Sequence, residues 1–131
     1  MHQKLILRRR DGTMARCSTY SHFSAAYKSI KVINTDGKVE SVSLADLKAI
    51  FFVKDFGGNP RYHAHTDFSD ESPKAGQVVK VTFHDGETMR GRVINVAEGR
   101  SGFFIFPADP LDNNERVFIV RSPDVRVEVE A

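Results

Sequence analysis

The stretch "VTFHDGETMRG" (residues 81–91) sets His84 beside Asp85, an imidazole next to a carboxylate, which is half of a general acid–base pair. A nucleophile or a second acid at recognisable spacing would complete such a site, and none accompanies them. The same Asp-Gly step occurs 74 residues earlier in "RRRDGTMARC", which marks the pair as repeated turn architecture. His63 and His65 in "HAH" lie next to Asp67, and alternate imidazoles can share a metal; no cysteine or further histidine completes a tetrahedral set. These residues therefore predict neither an enzyme, a metal centre nor a cofactor. The remaining chemistry is cationic: Arg8, Arg10 and Arg16 on one segment and Lys80, Arg90 and Arg92 on another, two clusters suited to phosphates.

A chain of 131 residues is one ordinary domain or two very small ones sharing a core. Cys17 is the single cysteine, so no disulfide framework is possible, and a lone thiol without a signal-like apolar stretch fits a reducing cytoplasm. The longest apolar runs, "AIFFV" and "GFFIF", are too short to span a bilayer. Net charge is only +2, but residues 1–56 carry ten Lys and Arg against five Asp and Glu, and residues 57–131 carry nine against twelve. Such a distribution favours attraction between the halves, or a basic patch on the first for an anionic ligand.

Superposing Asp11-Gly12 on Asp85-Gly86 brings Leu5 and Leu7 onto Val79 and Val81, Arg16 onto Arg90 and Cys17 onto Gly91. Ile30 and Val32 fall on Phe104 and Phe106; allowing a longer hairpin loop in the second copy, Val42 and Leu44 fall on Val117 and Ile119, and Ile50 and Phe52 on Val127 and Val129. Each copy reads as five short strands. In "VVKVTFH", Val79, Val81 and Phe83 alternate with Lys80, Thr82 and His84, as in a half-buried strand. A three-residue loop Asp85-Gly86-Glu87, with Gly86 at positive φ, aligns Phe83 with Met89 and keeps both on the apolar face. Ser43-Leu44-Ala45-Asp46 and Ser122-Pro123 each predict a single helical turn before the fifth strand. The expected fold is all-β: two tandem five-stranded small barrels of Sm-like or SH3-like type, packed together. Residues 1–56 form the first, residues 57–77 connect them with Gly, Pro and polar groups, and residues 78–131 form the second.

Barrel strands are apolar inward and polar outward. Ser29, Lys31, Ser41 and Ser43 obey the rule, whereas the matching exterior positions of the second copy are Phe103, Ile105 and Phe118, with Val120 continuing the series. In the last strand of the first copy Phe51 and Val53 face outward. These patches are too apolar to leave in water, and the expectation is that they cover one another, between barrels or across a homodimer. On the outer face of the first hairpin the same register groups Arg8, Arg10 and Arg16, with Arg8 roughly opposite Arg16, and on the second it groups Lys80, Arg90 and Arg92. The long hairpin in "GFFIFPADPLDNNERVFIV" offers Asp109, Asn113, Asn114 and Arg116 as loop recognition groups.

Val81, Phe83, Asp85, Gly86, Met89, Gly91 and Val93 resemble the first motif of Sm-like proteins, echoed less faithfully in the first copy, where Cys17 replaces the glycine. "LKAIFFVKDF", "VTFHDGETMRG" and "GFFIFPADPLDNNERVFIV" together resemble a family of uncharacterised bacterial proteins with a duplicated unit; that resemblance implies a bacterial cytoplasmic protein and no established activity. Sm-like RNA binders carry Arg-Gly or Lys-Gly before the last strand, where "VRSPDV" has Arg121 followed by Ser and Pro. PilZ-type cyclic dinucleotide receptors share the arginine run, but "SHFSAAYK" does not meet their second signature. The expected function is a non-enzymatic interaction module that recognises a protein partner or itself. The alternative is nucleic-acid or nucleotide binding through the six basic residues.

Overall fold

The computed structural model describes residues 3–19, 23, 27–56, 76–93, 101–107 and 113–130. Among the described residues there are ten strands: β1 (Gln3–Arg9), β2 (Met14–Thr19), β3 (Ser29–Ile33), β4 (Val39–Ser43), β5 (Leu47–Val53), β6 (Gln77–Thr82), β7 (Thr88–Val93), β8 (Gly102–Pro107), β9 (Asn114–Val120) and β10 (Arg126–Val129). One turn of 3-10 helix, Leu44–Asp46, precedes β5; the Ser43 hydroxyl caps it by accepting from the Ala45 N–H, as the sequence predicts. The expected all-β fold is present. Its strands form one antiparallel sheet of ten in the order β10-β6-β7-β8-β9-β5-β1-β2-β3-β4, which does not close, so β4 and β10 are its edges.

Three hairpins share one turn. Arg9 N–H donates to Thr13 C=O and Gly12 N–H to Arg9 C=O; Phe83, Glu87 and Gly86 repeat the pattern, as do Asn34, Lys38 and Gly37. Each glycine sits at positive φ, +93°, +86° and +82° respectively, where a Cβ would be strained. Asp11 Oδ1 accepts from the Thr13 N–H and hydroxyl, which holds its carboxyl below the usual range, and Asp85 Oδ1 accepts from Glu87 N–H. The Asp-Gly pairs are therefore turn formers. One correction concerns the loop, which is His84-Asp85-Gly86: Val81, not Phe83, lies opposite Met89. A slip of two residues keeps every side chain on its predicted face.

Two apolar clusters form the interior. The first gathers Leu5, Leu7, Cys17, Phe23, Ile30, Val32, Leu44, Leu47, Ile50 and Phe52 with Phe118 and Val120, and Phe104 packs against it. The second gathers Val79, Val81, Phe83, Val93, Phe103, Ile105, Val117 and Ile119 with Ala49, Phe51 and Val53. All seven residues of β5 are buried because its two faces serve different clusters, and such a strand reads as a continuous apolar run. Phe103 and Ile105 are not exterior residues of their own half, contrary to the sequence expectation; they belong to its core. The path from Ser18 to its partner Ile33 is one residue longer than that from Arg92 to Phe106, and one residue is enough to exchange the faces of β8. The expected patches meet in part: Phe51 and Val53 share the second cluster with Phe103 and Ile105, while Phe118 and Val120 turn into the first. β5 lies beside β9, so Phe51 and Val53 complete the second cluster while Phe118 and Val120 complete the first.

Candidate recognition surfaces

Between the halves runs a charged seam. Lys48 is only 5 % exposed, on a strand otherwise apolar, and its Nζ donates to Asp85 Oδ2 and to Glu87 Oε2, each at 2.7 Å, while lying 4.6 Å from the centre of the Phe83 ring. The Lys48 hydrogen bond, with that from Glu87 N–H, holds the Asp85 carboxyl at about 2. Arg8 donates to both Glu87 oxygens, at 3.1 and 3.2 Å. Next to it the His84 Nε2 lies 3.1 Å from the Arg10 carbonyl, a contact that needs the proton on Nε2, and Arg10 reaches Asp124 at 2.6 Å. The His84-Asp85 pair thus anchors the β6–β7 turn on the first half.

Most of the predicted cations hold partners within the chain. Arg8 and Arg10 are engaged in the seam. Arg8 stands opposite Met14 and Arg16 opposite Ile6, which makes the two arginines diagonal neighbours on one face, two residues out of the expected register. Arg90 donates to both oxygens of Glu130 and depresses that carboxyl's pKa, Lys80 stands opposite Glu128, and Arg92 Nη1 donates to the Gly76 carbonyl. Carboxylates of β10 and its end therefore offset the second cluster.

Among the loop candidates, Asn113 Oδ1 accepts from Asp55 N–H, its Nδ2 donates to the Asp55 carbonyl, and its own carbonyl accepts from Lys54 N–H, so it locks the end of β5. Asn114 pairs with Val53 in the sheet. Arg116 lies 4.3 and 4.5 Å from the ring centres of Phe52 and Phe104, and burial lowers its pKa. Asp109, and His63 and His65 with most of the 57–77 connection, lie outside the described residues.

Backbone groups at the two edges follow from the ladders. Asn34 N–H donates to Lys38 C=O and Leu44 N–H to Lys28 C=O; alternation between those bonds commits Glu40 and Val42 to β3 and turns the N–H and C=O of Val39 and Ser41 outward. Glu130 N–H donates to Val78 C=O, which by the same alternation turns those of Val127 and Val129 outward from β10. No described strand pairs with either edge. Val39 and Val129 are 61 % and 62 % exposed, more than any other large apolar side chain described.

A family model described as "Family of unknown function (DUF6982)" matches residues 1–131. The chain belongs to that family. No curated protein and no solved structure matches it. No described helix of this DUF6982 chain is long and apolar enough to cross a membrane. Sequence reasoning missed the seam and the edge valines. One signal for the seam was available: a lysine inside "LKAIFFV", a run otherwise apolar enough for a strand buried on both faces, requires an anionic partner. Nothing local marked Val39 and Val129, since their exposure depends on which strands end the sheet.

Proposed function

We propose that this protein is a non-enzymatic interaction module, built as two copies of a five-stranded small-barrel unit, that associates head to tail with further copies of itself through β4 and β10. The duplicated plan is supported by strand order, 5-1-2-3-4 in the first five strands and 10-6-7-8-9 in the last. Leu5↔Phe52 and Val79↔Val129 make Phe52 and Val129 counterparts. Lys31↔Ser41 and Phe104↔Phe118 do the same for Ser41 and Phe118.

One observation carries the reading: the contact between the units is β5 against β9, and β10 and β4 are the counterparts of those two strands, left as edges. Repeated between chains, Phe52↔Arg116 becomes Val129↔Val39, and Ile50↔Phe118 becomes Val127↔Ser41. Val39, Ser41, Val127 and Val129, whose backbone groups point outward, are residues the repeat would hydrogen-bond, and it covers the two most exposed aliphatic side chains described. Phe51↔Val117 becomes Glu128↔Glu40, a like-charge pair that costs roughly 0.2–1 kcal/mol. Association is accordingly weak and is favoured by salt. A head-to-tail contact is heterologous, so it yields a ring or an open chain rather than an isologous dimer.

Sedimentation equilibrium tests this. Mass should rise with protein concentration and with salt, Glu128→Lys should tighten association about 3- to 10-fold, and Ser41→Pro, which removes an outward N–H without touching the β3 ladder, should abolish it. A monomer at millimolar concentration for both wild type and Glu128→Lys would end the proposal. The rival, nucleic-acid or nucleotide binding through Arg8, Arg10, Arg16, Lys80, Arg90 and Arg92, predicts the opposite salt dependence in a titration with RNA, DNA and cyclic dinucleotides.

A further inference from the structure

At the start of β3, away from both the seam and the residues that would pair between chains, lies an open cavity of about 270 Å³ lined by Thr19, Phe23, Tyr27, Lys28, Ser29, Ile30 and Lys31. Its lining is divided by chemistry. Phe23 and Ile30 are buried core residues that present apolar surface to it. Tyr27 is 46 % exposed and stands edge-on to Phe23, with ring planes at 82° and centres 6.1 Å apart. Phe23 is itself held by Phe118 and Phe104, at 4.9 and 6.2 Å, so the apolar wall is rigidly backed by the first cluster. Opposite in character are Lys28 and Lys31, both exposed and in no ion pair among the described residues. The Thr19 hydroxyl donates to the Lys31 carbonyl and fixes the backbone that carries the second ammonium.

We infer that this cavity binds a small aromatic phosphate monoester, of the size of a nucleoside monophosphate, with its ring against Tyr27 and Phe23 and its phosphate between Lys28 and Lys31. Charge selects the anion: two lysines in no ion pair among the described residues match a phosphate dianion, whereas most of the arginines in the seam and on the second hairpin already hold acidic partners. Size selects the body. About 270 Å³ is slightly below the range of roughly 300–1,000 Å³ typical of ligand pockets, so it admits one ring system and leaves part of the ligand in water. A polynucleotide needs a continued cationic track, and the two lysines do not supply one. The inference is independent of strand pairing at the edges.

Isothermal titration of the full chain with AMP, phenyl phosphate, adenosine and inorganic phosphate tests it, with chemical-shift mapping to locate any binding. AMP should bind saturably, and adenosine and inorganic phosphate at least 10-fold more weakly. Phenyl phosphate matching AMP would define the ligand as any aryl phosphate; phenyl phosphate much weaker would define it as a nucleotide, and both support the site. Because Tyr27, Lys28 and Lys31 are exposed, Tyr27→Ala, Lys28→Ala and Lys31→Ala should fold as wild type, which the melting temperature checks. Each should weaken AMP several-fold, and the double lysine variant by 10-fold or more. Inorganic phosphate binding as tightly as AMP, binding untouched by these substitutions, or no saturable binding at millimolar AMP would each overturn the inference.

Discussion

Replacing Lys48 with methionine keeps the length of the buried stem and removes only the charge, which isolates what the seam contributes. The wild-type ammonium has two carboxylate contacts at 2.7 Å and an aromatic face at 4.6 Å. Breaking a fully buried pair by removing one partner costs about 3–5 kcal/mol, but Asp85 and Glu87 are 45 % and 41 % exposed and regain water when the lysine is lost. Each pair is therefore discounted towards the exposed-pair range of roughly 0.2–1 kcal/mol. A cation–π contact of about 0.5–1 kcal/mol adds to them. The expected loss is about 2 kcal/mol, a fall in Tm of roughly 5–10 °C for a chain of this size.

Acid should reveal the same interaction. The Asp85 pKa in the folded chain, about 2, lies below its ordinary 3.8, so its stabilising effect is complete above pH 3.8 and is lost as pH falls towards 2. In Lys48→Met that acid-dependent loss should shrink, because the largest cause of the shift has gone. Urea midpoints measured at neutral pH and at several values between 4 and 2 give both quantities. A Tm within about 1 °C of wild type, together with an unchanged acid limb, would falsify the assignment of the seam as a stabilising element.

Phe118→Ala should cost about 3–5 kcal/mol by urea denaturation, since a fully buried ring is removed from a cluster built mainly by the other half of the chain. For the same reason residues 1–56 expressed alone should show no cooperative thermal transition, having lost Phe104, Phe118 and Val120 from the first cluster and left Phe51 and Val53 uncovered; a sharp calorimetric peak would contradict this. Gly86→Ala should cost about 1–2 kcal/mol by the same denaturation assay, because φ is +86° yet nothing lies within 4 Å of the added Cβ, so only the backbone conformation is penalised.

Turns and strand faces were legible because they are decided within a few residues. Asp-Gly stands in all three matching hairpins, at Asp11-Gly12, Asp36-Gly37 and Asp85-Gly86, and alternation in "VVKVTFH" identified the core side of β6 even though the loop register was off by two. The face of β8 was not legible in the same way. Whether Phe103 or Phe104 points inward turns on a single residue of connection between β7 and β8, and the apolar segment "GFFIF" has no alternation to show it. For the candidate sites the division is similar. Clusters of arginine were visible, but not that Glu87, Asp124 and Glu130 would reach them. Lys28 and Lys31 carried no signal at all, since an unpaired lysine and a paired one read alike.

By itself the sequence determined an all-β chain with repeated glycine-bearing turns, and five short strands in each half whose apolar positions demand burial. Only the tertiary structure decided that β5 joins β9, that each half completes the other's core, and that Lys48 locks the β6–β7 turn between them. The physical reason is separation along the chain. Periodicity and turn chemistry are set by neighbours, whereas a partner some 70 residues away is selected by which faces remain uncovered once the local hairpins have formed.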